Sequence, residues 1–345
     1  KYCNARYAVA VNSATSALHL ACLSLGVGAG DKVWTSAITF VSSSNSALYC
    51  GADIDFVDIN HETFNMDVEI LENKLEKAEK EGCLPKVVMP VHLAGQPCDM
   101  ASIARLAKKY NFFVIEDASH ALGAKYQNEP IGACVHSDIT VFSFHPVKII
   151  TSGEGGMALT NNPILASKMR KLRTHGITSD PSEMEERPVE ELWNYQQIEL
   201  GYNYRLPDIL AALGVSQMQR LDQFLEKRRV IATIYDEELV GLPIITPTHM
   251  ADSISSNHLY IIRFETEKIF RSHKTLFKEL HSRGITGNLH YIPVPLQPFY
   301  RKLGFLRGSF PAAERYFNQV MSIPIYPGLT ANMQKKCIDE IKGLL

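Results

Sequence analysis

The sequence predicts an α/β protein with a large domain over residues 1–240, built on a mostly parallel seven-stranded sheet, and a small C-terminal α/β domain over residues 241–345. Its 345 residues exceed what one ordinary hydrophobic core accommodates. As far as residue 160, short β-branched runs alternate with amphipathic helical stretches, a pattern typical of parallel strands joined by crossover helices. After about residue 245 the order of elements changes, which indicates a second domain.

The elements of the predicted sheet lie in the first 160 residues. Strands are expected at residues 7–11, 32–37, 54–57, 86–91, 112–116, 139–144 and 156–160. The helices between them are expected at residues 15–25, 40–49, 66–80 and 100–110. Asp67 and Asp99 lie near the starts of the last two helices, where a carboxylate interacts favourably with the helix dipole. The ligand site of such a sheet lies beyond the carboxyl ends of its strands.

The rest of the chain is expected to form a helix that connects the two domains, and the small domain itself. A helix is expected at residues 165–173, followed at 178–195 by an exposed, acidic insertion that Pro181 and Pro188 interrupt. One long helix from Pro207 to about Val240 is expected to connect the domains, because its apolar residues recur at helical spacing. The small domain is predicted to contain a strand at 259–264, a helix at 273–283, a strand at 285–289, and helices at 312–320 and 331–345.

Composition and charge limit the classes of partner. With 21% charged residues and a formal net charge of -2, the chain has no broad basic surface, so neither nucleic acid nor a membrane is an expected partner. The 7 cysteines form no CxxC pair, and no apolar run reaches the ~20 residues of a membrane helix. We therefore expect a cytoplasmic protein with reduced thiols and no metal site. Because the first residues read as a helix end running into a buried strand, the natural protein is expected to begin further upstream.

The segment SFHPVKIITSGEGG at residues 143–156 is the most informative stretch. Lys148 ends an apolar, strand-like run and precedes a turn with Gly153, Gly155 and Gly156, so its side chain is expected to project from the sheet edge into a cleft. Partial burial lowers the pKa of an amine toward the range that is useful for imine formation. By itself the pattern also fits an ordinary lysine at a strand end, with its ammonium group in water.

Three further residues could surround a planar ring. Asp117 lies just past the buried run FFVIE, where its carboxylate can accept a hydrogen bond from a protonated pyridine nitrogen. His120 lies three residues on and could hydrogen-bond a phenolic oxygen of that ring. Phe40, in the junction SAITFVSSS, could stack on the ring. Taken singly, they also fit a cap aspartate, a loop histidine and a core aromatic.

The run VAVNSATSALHLAC indicates a phosphate site at a helix N-terminus. It passes from strand to helix through Ala14, Thr15 and Ser16, where free N–H groups and hydroxyls can bind an anion. Ser143, five residues before the lysine, could add another hydroxyl donor. Serine and threonine begin many helices, so this run alone also fits an ordinary cap.

Together these motifs resemble the DegT/StrS-type sugar-nucleotide aminotransferases, a fold-type I branch of the pyridoxal phosphate (PLP) enzymes. The segments that carry the resemblance follow the family's order over nearly the whole chain: NSATSAL, ITFVSS, PVHLAGQPCDM, EDASHALGA, SFHPVKIITSGEGGM, RTHGI, GYNYRLPDILAALG and NLHYIPV. Several motifs in register are far more specific than any one of them.

The resemblance implies PLP as the cofactor and a role for each candidate residue. Lys148 takes the position of the lysine that holds PLP as a Schiff base, and Asp117 that of the partner of the pyridine nitrogen. His120 takes the position beside the phenolic oxygen, and Phe40 the ring-stacking position. The positions of the phosphate cup fall on Ala14, Thr15, Ser16 and Ser143.

The resemblance also implies a homodimer with shared active sites. Asn203, in GYNYRLPD, matches a position that reaches into the neighbouring subunit's site to complete phosphate binding. Two departures from the family's pattern are the insertion at 178–195, which could alter the rim of the site, and the absence of the family's N-terminal substrate-binding segment. The positions that the small domain presents to the sugar nucleotide fall on Asn288, Leu289, His290 and Tyr291.

These roles imply transfer of an amino group, with glutamate as the expected donor, to a nucleotide-linked 4-keto-6-deoxyhexose. Lys148 would be both the anchor of the cofactor and the acid/base. The family's dehydratase branch has histidine in place of this lysine, so Lys148 argues against it. A PLP-binding sensor without turnover would be expected to have lost Lys148, Asp117 or the phosphate cup. A lysine Schiff-base lyase without PLP would need neither Asp117 nor the cup.

The substrate is suggested by finer features of the motifs. HPVK followed by ITSGEGG, together with AGQPCDM and the run SSNHLY at 255–260, is most similar to the enzymes of the pseudaminic acid pathway. Those enzymes aminate carbon four of a UDP-linked 2-acetamido-2,6-dideoxy-4-keto-L-hexose. Relatives that act on the D-configured bacillosamine precursor, or on dTDP sugars, differ around the lysine and rank second.

Overall fold

The computed structural model describes residues 1–186, 191 and 193–345. Its strands are β1 (Tyr7–Val11), β2 (Lys32–Ser36), β3 (Asp53–Val57), β4 (Val87–Met89), β5 (Phe113–Asp117), β6 (Lys125–Tyr126), β7 (Glu129–Pro130), β8 (Ile139–Ser143), β9 (Gly156–Thr160), β10 (Ile177–Thr178), β11 (Gln196–Gln197), β12 (Ile244–Ile245), β13 (Ser253–Ile254), β14 (Tyr260–Phe264) and β15 (Val320–Ile323). Its helices are α1 (Ala14–Ser24), α2 (Val41–Tyr49), α3 (Val68–Glu81), α4 (Met100–Tyr110), α5 (Pro163–Leu172), α6 (Asp208–Met218), α7 (Leu221–Glu238), α8 (Thr266–Ile269), α9 (His273–Ser282), α10 (Pro298–Lys302), α11 (Pro311–Phe317) and α12 (Ala331–Lys342).

A seven-stranded sheet forms the centre of the large domain, with the order β1-β9-β8-β5-β4-β2-β3. From β8 to β3 all neighbouring strands are parallel, and β9 runs antiparallel to both β1 and β8. The mostly parallel α/β fold is therefore confirmed. Because β9 is antiparallel to both of its neighbours, β1 runs in the same direction as β8 and β5. The carboxyl ends of β1, β5 and β8 therefore lie on the same side of the sheet.

Residues on both faces of the sheet are buried, as expected when helices cover each face. Neighbouring residues of one strand enter different cores: Val33 packs with α1, α2 and α5 on one face, and Trp34 packs with α3 and α4 on the other. Ile115 and Val114 of β5 divide in the same way. Each fully buried large apolar side chain contributes ~1.5–3 kcal/mol, so these two layers hold the strand ends in place.

Side-chain caps fix where the helices on these faces begin. Asp67 accepts hydrogen bonds from the backbone N–H groups of Glu69 and Ile70, and Asp99 accepts one from that of Ser102. Both predicted helix starts are thereby confirmed. Ser13 caps α1 by accepting a hydrogen bond of 3.1 Å from the Ser16 N–H. That cap sets α1 directly at the carboxyl end of β1.

The C-terminal part is built on a smaller antiparallel sheet, β12-β14-β15. Its core includes apolar residues of α9 and α12, and also Ile231 and Tyr235 of α7. The domain boundary near residue 240 stays a prediction. Among the described residues, no helix combines the length and the apolar character needed to cross a membrane.

The predicted single helix from 207 to 240 is wrong, because the chain forms two helices with a break at Gln219 and Arg220. No glycine or proline marks the break, and both residues keep dihedral angles close to helical ones. After the break, Leu221 and Leu225 turn into the core, whereas α6 has no buried residue. Helical periodicity alone could not show this change of direction.

Two other predicted elements differ. Residues 285–289 form no strand; Asn288 makes only an isolated bridge to Ser322. The helix expected at 312–320 ends at Phe317, and Val320 begins β15, a short buried strand that lacks an alternating pattern. The insertion at 178–195 is bracketed by the two-stranded pair β10 and β11. Pro188, with the rest of 187–190 and residue 192, lies outside the described residues.

Candidate active site

A cavity of about 260 Å³ lies where β1, β5 and β8 end. It brings together most of the residues that the sequence singled out, although they are up to 277 positions apart along the chain, from Ala14 to Tyr291. The predicted residues on its wall are Ala14, Thr15, Phe40, Asp117, His120, Ser143, Lys148 and Tyr291. The cavity therefore matches the ligand site expected beyond the carboxyl ends of the parallel strands.

Lys148 lies in the loop between β8 and β9, not at the end of a strand as expected. β8 ends at Ser143, and the loop then turns back on itself through hydrogen bonds from Lys148 N–H to His145 C=O and from Ser152 N–H to Phe144 C=O, each 3.0 Å. The expected projection of Lys148 into a cleft is confirmed. Burial lowers the pKa of its ammonium to about 8, and the nearby charge of Asp117 opposes that shift.

Asp117 is the last residue of β5, and its carboxylate is held on both oxygens. The Ser43 hydroxyl donates to Oδ2 at 2.6 Å. The Ser119 hydroxyl and backbone N–H donate to Oδ1 at 2.6 and 3.1 Å. Two carboxylate oxygens offer about four acceptor positions, so one remains for a ligand N–H.

The start of α1 forms the anion-binding wall. In the described part of the chain, the N–H groups of Ala14 and Thr15 have no hydrogen-bond acceptor, as is usual in a first helical turn. They line the cavity together with the Ser143 hydroxyl. The start of β9 approaches this turn so closely that a Cβ on Gly156 would lie 2.5 Å from the Ala14 nitrogen. Free N–H groups, the helix dipole and a hydroxyl fit a phosphate.

Ser16 does not line the cavity, although its position was expected to belong to the phosphate cup. Its hydroxyl donates to the Asn12 side chain at 2.6 Å, and its N–H is taken by Ser13. Both donors are therefore used inside the protein. The neighbouring Ser13, and not Ser16, lines the cavity.

Aromatic and imidazole rings form the remaining wall. Phe40 is 55% exposed and faces the cavity at the start of α2. His120 is buried and lies 3.1 Å from the Tyr291 hydroxyl, measured from Nε2. Burial lowers the pKa of His120 well below its ordinary value, and the charge of Lys148 adds to this effect. His120 is therefore a neutral hydrogen-bonding group.

Besides Ser16, four more of the predicted site residues lie outside this cavity. Asn203 is exposed and forms a bridge with Thr174, outside the cavity. Asn288 and His290 line a separate cavity of about 550 Å³ in the small domain, and His290 Nδ1 lies 2.8 Å from the Ser322 hydroxyl. Leu289 lines neither cavity. Of the NLHY positions, only Tyr291 faces Lys148's cavity in this chain.

Several residues on the cavity wall, or bonded to one that is, escaped sequence reasoning. Ser43 and Ser119 hold Asp117, and Thr39 hydrogen-bonds Ser43 at 2.7 Å. Ser119 could have been suspected, since it stands two residues after Asp117 and short side chains there often hydrogen-bond back. Ser43 gave no such signal, because its contact spans 74 positions. Other wall residues that were not expected are Ser42, Val91, His145, Val147, Glu154 and Gly155.

With this geometry established, comparison with known proteins gives the class. The chain belongs to the DegT/DnrJ/EryC1/StrS aminotransferase family, whose profile matches residues 1–342. It is 38% identical to the UDP-4-amino-4,6-dideoxy-N-acetyl-beta-L-altrosamine transaminase of Campylobacter jejuni, over 100% of this chain and 87% of that protein. It is 36% identical to the GDP-perosamine synthase of Caulobacter vibrioides, over 95% of this chain and 83% of that protein.

Solved structures agree with this class. A sugar aminotransferase from Streptococcus pneumoniae in its PLP form is similar with a TM-score of 0.87 and 31% identity, covering 99% of this chain and 88% of that one. The Helicobacter pylori aminotransferase PseC, which is involved in pseudaminic acid biosynthesis, is similar with a TM-score of 0.88 and 30% identity, with the same coverages of 99% and 88%. The protein is thus a PLP-dependent sugar aminotransferase.

Proposed function

We propose that the cavity residues divide the work of transamination as follows. Lys148 binds PLP covalently; the Ala14 and Thr15 N–H groups and the Ser143 hydroxyl bind its phosphate. The carboxylate of Asp117 accepts the hydrogen bond of the ring nitrogen, and Phe40 packs on the ring. The observation that carries this assignment is the meeting of a low-pKa lysine, a carboxylate with a spare acceptor position and an uncapped helix start in one cavity.

PLP supplies an aldehyde that forms an imine with an amine and a protonated ring that withdraws electrons from the bond being broken. The chain itself moves the proton. With a pKa near 8, Nζ of Lys148 is partly uncharged at neutral pH, so it can accept a proton from the substrate carbon and return it. Asp117 holds the ring nitrogen by accepting its hydrogen bond at the position that Ser43 and Ser119 leave free.

For the substrate we propose a UDP-linked 4-keto-6-deoxy-N-acetylhexosamine of the pseudaminic acid pathway, aminated at carbon four with glutamate as donor. The motifs around Lys148 support this substrate, as do the 38% identical transaminase of C. jejuni and the similar H. pylori structure. The alternative is another nucleotide 4-keto-6-deoxy sugar, of the bacillosamine type or dTDP-linked. The 36% identity to a GDP-perosamine synthase favours keeping such sugars in the test.

A panel of nucleotide keto sugars tests the substrate. We expect the protein to prefer the L-arabino-configured UDP-4-keto sugar over its D-xylo epimer and over dTDP-4-keto-6-deoxyglucose. An epimer moves the acetamido group, and a polar group left unpaired in a closed site costs ~1–3 kcal/mol, so roughly ten- to a hundredfold discrimination in kcat/KM is expected. An equal or higher kcat/KM for a competitor would reject this sugar and leave the aminotransferase assignment standing.

We further propose a homodimer in which Asn203 completes the partner's site. Asn203 is exposed and does not line its own chain's cavity. The helix α6 that follows it has no buried residue. Even its apolar residues Ile209 and Val215 are 84% and 64% exposed. An apolar helix left uncovered in this way is typical of a subunit interface. A second copy of the chain, related by a twofold axis, would cover α6 and Asn203 together.

Mixing two inactive variants tests the shared site. We expect Lys148→Ala chains and Asn203→Asp chains, each inactive alone, to recover up to about a quarter of wild-type activity after random reassortment, because half of the dimers are hybrids and one of their two sites is intact. Native mass spectrometry would verify that hybrids form. Verified hybrids without activity would contradict a shared site. Reassorting Lys148→Ala chains with Lys125→Ala/Lys148→Ala chains gives the control, since no intact site can arise.

A further inference from the structure

A short segment, residues 253–259, connects the small domain to the wall of the active site. We call it the strap. It begins with β13, which pairs with β6 of the large domain. The Ser256 N–H then donates to Gly95 C=O at 3.2 Å, and the His258 N–H donates to Ala94 C=O at 2.9 Å. The strap is thus hydrogen-bonded directly to residues 94 and 95, in the loop between β4 and α4.

Close contact between the strap and this loop requires a glycine at position 95. Gly95 has a φ of +96°, and a Cβ there would lie 2.1 Å from the Ser256 hydroxyl and 2.9 Å from the His120 carbonyl oxygen. The Ser256 hydroxyl donates to that same carbonyl at 2.7 Å. The backbone of His120 is therefore held by the strap through a contact that no side chain at position 95 would allow.

The hydrogen bonds of His120 fix which of its nitrogens carries the proton. The Ala94 N–H donates to Nδ1 at 3.3 Å, so Nδ1 is an acceptor and the proton lies on Nε2. Nε2 then donates to the Tyr291 hydroxyl oxygen at 3.1 Å. Burial raises the pKa of Tyr291, so the hydroxyl keeps its own proton. Because the hydroxyl oxygen of Tyr291 accepts from His120, the hydroxyl proton is free to point into the cavity that Tyr291 lines.

The ring of His258 covers His120 on its other side. The two ring centroids are 4.5 Å apart, and both side chains are buried. Within the described part of the chain, Nδ1 of His258 has no hydrogen-bond partner, which indicates that the ring acts here by packing. The backbone of His258 is anchored from behind, since the buried guanidinium group of Arg228 donates to its carbonyl at 3.0 Å.

We propose that His258 is a positioning residue of the active site: its ring excludes water from His120, and its backbone N–H holds the carbonyl of Ala94, the residue whose own N–H sets the His120 tautomer. Tyr291 consequently presents a hydroxyl proton to the ligand in the cavity. The proposal does not depend on which sugar is the substrate. The titratable groups around His120 are Lys148, His258, His290 and Tyr291, and the charges of Lys148, His258 and His290 all disfavour its protonation.

The test compares His258→Ala with His258→Phe in the PLP-loaded enzyme without substrate. Water admitted by His258→Ala should return the pKa of His120 toward the ordinary ~6.5. His120 is neutral above that pH and protonated below it, so the variant's visible absorbance band should show a new transition as pH falls through ~6.5. Wild type and His258→Phe, whose ring still covers His120, should lack it. At pH 6, His258→Ala should also lose activity several-fold relative to pH 8.

Two further variants make the result specific. The double variant His120→Gln/His258→Ala should lose the new transition, because the group that titrates is then gone. His273→Ala, which removes a half-buried histidine of the small domain bonded to Val320 C=O, should titrate like wild type. A wild-type profile for His258→Ala, a new transition in His258→Phe, or its persistence in the double variant would each overturn the proposal. If the alanine variant does not fold, His258→Val, which also removes the ring, takes its place and should show the new transition that His258→Phe lacks.

Discussion

Lys148→Ala should lower transamination by several orders of magnitude and abolish covalent attachment of PLP. The reason is that one amine carries two functions, the bond to the cofactor and the transfer of the proton, so its removal affects every half reaction. Its depressed pKa and its position on the cavity wall suit both functions. Steady-state rates and the absorbance of the dialysed protein would be measured together.

Lys125→Ala is the matched control for this variant. Lys125 is an exposed residue of β6 and does not line the cavity, so its loss should leave both the rate and the visible band unchanged. Near-wild-type activity of Lys148→Ala, with Lys125→Ala behaving normally, would remove Lys148 from the mechanism.

Asp117→Asn should keep PLP bound but slow turnover by on the order of 10²- to 10³-fold, the size of other losses of preorganised electrostatic stabilisation. The amide is nearly isosteric and can still accept from Ser43, but it carries no charge to hold a proton on the ring nitrogen. The loss should therefore fall on kcat, with little change in cofactor affinity.

Asp138→Asn provides the comparison. Asp138 lies just before β8, at the opposite edge of the sheet, and accepts a hydrogen bond from the Val114 N–H, which an amide oxygen can also do. The kcat of the Asp138→Asn variant should stay close to that of wild type. A wild-type kcat for Asp117→Asn would assign Asp117 a structural role only.

The sequence was sufficient for the parts of the fold that depend on local pattern. β-branched runs and the caps at Asp67 and Asp99 predicted the parallel sheet and its helices to within a few residues. It failed where tertiary packing decides. The break at Gln219 has no local marker, and β15 is a fully buried strand of four residues without alternation.

The same division applies to the site. Lys148, Asp117 and the start of α1 were recognisable because each stands close in sequence to a characteristic turn or strand–helix junction, although Lys148 itself lies in the loop after β8. Ser43 and His258 were not, because their contacts with Asp117 and His120 span 74 and 138 positions. The Ser16 hydroxyl donates to the Asn12 side chain and does not line the cavity. The spacing of residues in the sequence cannot reveal such a contact.

Reduction of the PLP-loaded enzyme with borohydride, followed by digestion and peptide mass mapping, tests the central claim most directly. An imine between PLP and a lysine absorbs near ~420 nm, and its reduction fixes the cofactor to that side chain. We predict loss of the band and a pyridoxyl adduct on Lys148 alone. An adduct on another lysine, or a band that borohydride leaves unchanged, would contradict the assignment of Lys148 as the residue that holds the cofactor.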